Sequence, residues 1–363
     1  MHIDEINENE ASKEIPSDEE QPKTIPAEEE FVPAMPPSNT GKWQRNNLDL
    51  TKIEVATQRI REELGKVIIG QSEYMDLLLA ALFAGGHVLV EGVPGIAKTL
   101  TAKLIAKTLE VDFSRIQFTP DLMPSDVIGT TVFNLRSSEF SFKSGPIFSN
   151  LVLIDEINRA PAKTQAALFE VMEEYQVTVD GETYKMEFPF FVIATQNPIE
   201  QEGTYKLPEA QLDRFLVKIN LEYPALEEEK AILRRFRNDF KVGQLHDVKT
   251  VFSAAEVLEC QKLVEQVYIK DELLDYIAAI VINTRNNGDL FLGASPRASL
   301  AIMRMAKAIA AANGRDFVTP EDIQYVAYPV LNHRIILTPE REMEGLYTRD
   351  VIEDIIKKIE VPR

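Results

Sequence analysis

The chain has 363 residues, 45% of them apolar, which is enough for globular cores and about two domains. Its net charge of −19 disfavours broad non-specific nucleic-acid binding, although a local basic patch would survive in it. Cys260 is the sole cysteine, which excludes an internal disulfide and a Cys-rich zinc site and fits a reducing compartment. No apolar run reaches the roughly 20 residues that a membrane-spanning helix needs. With no apolar leader at the start, a cytoplasmic, soluble chain is expected.

In chain order, residues 1–45 come first. The first 40 residues hold eleven Asp/Glu against two Lys/Arg, and six prolines. Such a composition buries too little surface to offset chain entropy, so a disordered acidic tail is expected. Helical patterns follow at Val55–Val67 and Tyr74–Phe83, separated by a turn at Ile69-Gly70-Gln71. A short apolar run, Val88 to Val90, then leads into GVPGIAKT, residues Gly92, Val93, Pro94, Gly95, Ile96, Ala97, Lys98 and Thr99, and a helical segment opens at Leu100. Strand, glycine loop, Lys-Thr and helix make a phosphate cradle. Successive backbone N–H groups turn onto phosphate oxygens, Lys98 reaches the outer phosphates, and Thr99 is placed to ligate Mg²⁺. The usual pattern has Gly where this chain has Ala97. An alanine there predicts a negative φ, as at a helix start.

Val111–Phe118 reads as a second strand. Residues 123–150 alternate at Thr131–Leu135 and Phe140–Lys143, a hairpin signal. Leu151–Ile154 is a fully apolar strand ending in Asp155 and Glu156. Asp155 is placed to hold Mg²⁺ and Glu156 to polarise a water for attack on the γ-phosphate. A helix over Pro161–Tyr175, a hairpin around Asp180-Gly181 and a strand at Phe190–Ala194 complete an alternating α/β pattern, which predicts a parallel sheet flanked by helices over residues 46–223. From Pro224 onward helices succeed one another, several behind clear caps at Ser253, Ser295 and Thr319, so residues 224–363 read as a smaller all-helical domain. His2, His87, His246 and His333 share no metal-ligand spacing and read as structural or surface residues.

The strings GVPGIAKT, FTPDLMPSDVIGT, GPIFSNLVLIDEINRAPAKTQAALFEVMEE, VIATQNPIEQEGTYKLPEAQLDRF and GASPRAS resemble AAA+ ATPases, and within them the MoxR family. The likeness runs from about Glu54 to Ile352. It implies a phosphate-loop core with a helical lid, ATP between them, Mg²⁺ and hydrolysis. It also implies roles by position. Asn197 matches sensor 1, Arg214 matches the arginine finger that reaches the next subunit's nucleotide, and Arg297 matches sensor 2, reaching from the lid to the nucleotide of its own chain. Ile69, Gly70 and Gln71 match the adenine-lining segment. The hairpin at 123–150 matches the helix-2 insert and that at 177–184 the pre-sensor-1 hairpin, each able either to grip a protein near a ring's pore or simply to scaffold. The family further implies a hexameric ring that remodels partner proteins, together with a separate von Willebrand factor A domain protein. A DNA-acting motor or helicase loader, a chelatase-type subunit and a small-molecule kinase are the alternatives. The acidic body, the lack of porphyrin-binding features and the helical lid weigh against them in turn.

Overall fold

The computed structural model describes residues 48–136, 138–198, 204–237 and 248–362. The acidic tail expected over residues 1–45 lies outside these, as do His2 and His246. Two helices, α1 (Thr51–Gly65) and α2 (Ser72–Phe83), precede the first strand, β1 (Val88–Gly92), and the helix α3 (Lys98–Thr108). Then come β2 (Phe113–Gln117), the short α4 (Pro124–Ile128), the hairpin β3 (Gly129–Asn134) and β4 (Glu139–Ser144), β5 (Leu151–Asp155) and α5 (Ala162–Glu174). A second hairpin, β6 (Gln176–Val179) and β7 (Glu182–Lys185), leads to β8 (Phe191–Gln196), α6 (Glu209–Leu212) and β9 (Val217–Leu221).

The five central strands run parallel in the order β2-β5-β8-β1-β9. Both faces of this sheet are covered, and the sequence shows why its strands are apolar throughout rather than alternating. Val88, Val90, Leu151, Leu153, Phe191 and Ile193 point into one core, shared with α1, α2, α3 and the helices beyond residue 224. Their neighbours Leu89, Val152, Ile154, Val192 and Ala194 point into the other, against Leu168, Phe169 and Met172 of α5. The edge strand β9 was not expected. Only one of its faces is deeply buried, so its sequence alternates, Val217 and Ile219 inward and Lys218 and Asn220 less buried.

The two hairpins stand together. Phe142 stacks on Tyr184 with ring centroids 4.2 Å apart, and Thr131 Oγ1 donates to Asp180 Oδ2 at 2.5 Å. Phe133 and Phe140 pair across the first hairpin at 5.0 Å, and both are exposed, as is Leu135 near its tip.

The remaining elements are α7 (Leu226–Phe236), α8 (Ala254–Glu265), α9 (Asp271–Arg285), β10 (Leu290–Leu292), α10 (Pro296–Ala312), α11 (Pro320–Leu331), β11 (Ile336–Leu337), α12 (Pro339–Met343) and α13 (Thr348–Lys358). The region is helical as expected, with one small antiparallel ribbon, β10–β11, that its sequence did not announce. The predicted caps at Ser253 and Ser295 form, whereas at Thr319 it is the backbone N–H that is held, donating to Asp322 Oδ2 at 2.8 Å. Glu256 N–H donates to Ser253 Oγ at 3.4 Å, Ser253 N–H to Glu256 Oε2 at 2.9 Å, and Arg297 N–H to Ser295 Oγ at 3.2 Å.

Three consecutive residues after α11 bind the lid to the sheet. Asn332 Nδ2 donates to Lys218 O at 3.0 Å, His333 Nε2 pairs with Phe215 O at 3.1 Å, and Arg334 Nε donates to Asp213 Oδ1 at 2.7 Å. Burial holds His333 well below the usual histidine range, so the ring is neutral, and its Nδ1 faces Asn332 Oδ1 at 3.1 Å. His87 is likewise buried, with its pKa lowered to about 4, between Met172 O at 3.2 Å and Val192 N–H at 3.1 Å. Both histidines are thus structural, as their spacing suggested. Arg334 is almost fully enclosed, and Asp213 is its carboxylate partner. Arg334→Met should therefore lower stability by about 3–5 kcal/mol, because it removes the counter-charge of the Asp213 carboxylate and the guanidinium donors to Asp213 O, Leu216 O and Val330 O. A denaturant midpoint equal to that of the parent would contradict this.

Candidate active site

The phosphate loop joins the carboxyl end of β1 to α3. Gly92 has no room for a side chain, since a Cβ there would lie 2.7 Å from Ile96 Cδ1 and 2.9 Å from Leu221 Cβ. Gly95 has φ +88°. Ala97 departs from expectation: its φ is +60° and ψ 17°, left-handed rather than helical. The inward turn of the loop's amides sets this angle, and the side chain tolerates it at a cost of roughly 1–2 kcal/mol. Gln71 (φ 57°) and Glu156 (φ 58°) are strained in the same way. Left-handed non-glycine residues thus recur at three assigned positions, as is common where a site dictates the backbone.

Lys98 Nζ lies across the loop, donating to Gly92 O at 2.6 Å. Half-burial lowers its pKa, while Asp155, Glu156 and Glu91 pull the other way. Thr99 Oγ1 donates to Asp155 Oδ2 at 3.4 Å. The lysine-threonine loop and the acidic strand end therefore converge, although 56 residues separate Thr99 from Asp155. Asp155 is buried and held on both oxygens, by Thr195 Oγ1 at 3.1 Å and by Arg115 Nε at 2.6 Å. Glu156 N–H donates to Thr195 Oγ1 at 3.0 Å, and its carboxylate accepts from Gln117 at 2.9 Å and Arg159 at 3.0 Å.

Arg115, Gln117 and Thr195 were not foreseen. The first two sit on one face of β2, in register beside β5, and Thr195 sits on β8 at its other side. Their polarity within short strands was a signal, but only the strand order shows what they adjoin. Asn197 follows β8 directly, between the strands that deliver Asp155 and the phosphate loop.

A cavity of about 530 Å³ continues from this edge, between β9 and the lid, lined by Gln71, Tyr74, Leu77, Tyr223, Tyr328 and Arg349 among others. Gln71 Nε2 donates to Ile96 O at 3.2 Å, tying the cavity to the phosphate loop. Gln71 Oε1 and the Tyr74 hydroxyl are buried without hydrogen-bond partners. Two orphaned polar atoms beside a phosphate cradle fit a nucleotide whose base and sugar fill the cavity. Gly70 (φ +70°) passes Glu228 at its rim, and Ile69 precedes it at intermediate burial.

Arg214 and Arg297 lie elsewhere. Both line a second cavity, of about 230 Å³, with Gly86, His87 and Leu216. His87 and Leu216 immediately precede β1 and β9, so this cavity opens at the amino edge of the parallel sheet. The phosphate loop is at the carboxyl edge, a strand length of about 16 Å away at roughly 3.3 Å per residue. Arg297 is thus not brought to the nucleotide of its own chain, contrary to the reach expected of it. Within its own chain Arg214 pairs with Glu173, at 2.9 Å. Asp213 is already engaged by Arg334.

Residues 87–217 match the model of the ATPase family associated with various cellular activities (AAA), and residues 282–355 that of the AAA lid domain. The chain is 42% identical over 311 residues to the chaperone MoxR1 of Mycobacterium tuberculosis, covering 83% of this chain and 81% of that one. This chain is a MoxR-family AAA+ ATPase. The chain is also 46% identical over 301 residues to the uncharacterized protein YeaC of Bacillus subtilis, covering 83% and 93% of the two chains. A crystal structure from Cytophaga hutchinsonii, 46% identical, superposes with a TM-score of 0.79 over 86% of this chain and 98% of that one. As in other AAA proteins, a helical lid follows the sheet domain. Among the described residues, no helix is long and apolar enough to cross a membrane.

Proposed function

We propose that this MoxR-family ATPase works as a ring, a hexamer by family likeness, in which each subunit's Arg214 and Arg297 complete the ATP site of the next. The carrying observation is the separation of the two cavities. The binding and acid groups, Lys98, Thr99, Asp155 and Glu156, collect at one edge of the sheet, and the two arginines at the other. Only a second copy can bring such edges together, and rings arise from head-to-tail contacts of this kind. In this reading Thr99 and Asp155 hold Mg²⁺, which would neutralise charge developing on the phosphoryl oxygens. Lys98 and the loop amides from Gly92 to Leu100 hold the phosphates. Gln71, with Ile69 and Gly70, borders the adenine. Glu156 takes the proton of the attacking water, and Asn197 helps place that water. The domain limits at residues 46–223 and 224–363 belong to the same reading.

The work done is remodelling or assembly of partner proteins in the cytoplasm, together with a separate von Willebrand factor A domain protein. The apolar tip of the paired hairpins, Phe133, Leu135 and Phe140, supports a polypeptide rather than a nucleic acid at that surface. The test is complementation. Arg214→Ala keeps the nucleotide side, and Lys98→Ala keeps the arginine side. Each alone should be inactive, and mixed in equal amounts they should recover part of the hydrolysis. A mixture as inactive as its components would remove the shared site.

A further inference from the structure

Glu173, near the end of α5, is the meeting point of the two distant arginines. Its carboxylate accepts from Arg214 Nη2 on Oε2 at 2.9 Å and from Arg297 Nη2 on Oε1 at 2.6 Å. Arg214 belongs to the sheet domain, between α6 and β9, whereas Arg297 is in the first turn of the lid helix α10. Two guanidinium groups aimed at one target repel each other, and a carboxylate between them offsets that repulsion and fixes both directions. Arg214 has little else to orient it. Its Nε is buried without a partner, and it lies 5.8 Å above the Phe169 ring. All three side chains keep enough exposure, 31% to 52%, for another subunit to reach them.

We propose that Glu173 is a positioning residue: it presents Arg214 and Arg297 as one cationic unit, joining core and lid, to the triphosphate bound by the adjacent subunit. This rests on the trans reading above. Arginines held in advance lose less freedom when the site closes, so the gain belongs to turnover rather than to ATP binding.

The test is Glu173→Gln in the full chain, an isosteric change that keeps hydrogen-bonding capacity and removes the charge. Turnover should fall roughly 10- to 100-fold, the worth of a charged hydrogen bond, with ATP affinity unchanged. Mixing it with Lys98→Ala should raise hydrolysis per intact nucleotide site, because the Lys98→Ala subunits supply properly held arginines. A purely structural defect would stay within its own subunit and show no such rise. Parental turnover in Glu173→Gln would overturn the proposal, as would faster turnover, which would make Glu173 a restraint on the arginines. If Arg214→Ala and Lys98→Ala complement each other and Glu173→Gln shows none of these effects, this inference alone fails. If they do not complement, the trans site itself fails.

Discussion

Glu156→Gln is expected to stop ATP turnover while leaving ATP bound. The side chain stands on a left-handed residue at the end of β5, with its amide fixed by Thr195 and its carboxylate by Gln117 and Arg159. Glutamine has the same size and can stay in this frame, but it cannot take a proton from water. Removing a general base of this kind typically costs about 10²–10⁴ in rate. Binding should persist, because Lys98, Thr99 and Asp155 are untouched. Phosphate release and a fluorescent-nucleotide titration read the two halves of the claim. Hydrolysis at the parental rate would take Glu156 out of the chemistry, and lost binding would make it part of the phosphate cradle instead. With ATP held and unspent, this variant is also the form in which bound partner proteins are best captured.

Arg214→Ala should produce the second large loss. An arginine supplied in trans is worth about 10³–10⁵ in phosphoryl-transfer rate. The side chain lies at the amino edge of the sheet, away from its own phosphate loop, so ATP affinity measured on dilute single subunits should barely change. Glu173 would then hold Arg297 alone. If the two arginines act on the same charge, as proposed, Arg297→Ala should fall in the same direction, and the double variant should cost less than the two single losses combined. A variant that hydrolyses normally in the assembled state would mean that the site is complete within one chain.

The parts of the site that the sequence made legible are those built from neighbours in the chain. GVPGIAKT announces its own backbone, and Leu151–Ile154 announces a strand buried on both faces with two acids at its end. Even here a detail escaped, because a one-dimensional pattern does not reveal that the loop twists Ala97 into the left-handed region. What could not be read depends on strand order. Arg115 and Gln117 look like ordinary polar positions of β2 until β2 is seen beside β5, and Thr195 matters because β8 lies on the other side. The lid arginine was misplaced for the same reason. Its number and its cap at Ser295 were legible, but not the edge of the sheet to which α10 would deliver it. The strand β9 was overlooked because half-buried alternation over five residues is a weak mark beside the long apolar runs.

The lid and one face of the sheet share a single interior, pinned where Arg334 meets Asp213. A hinge opening there, like a jaw inside each molecule, would wet a broad oily layer and strand a buried charge. Such a molecule moves more cheaply as a solid wedge. In the proposed ring, force generated from ATP would then travel outward, as neighbouring wedges pivot across the seams where one molecule's arginines meet the next molecule's fuel.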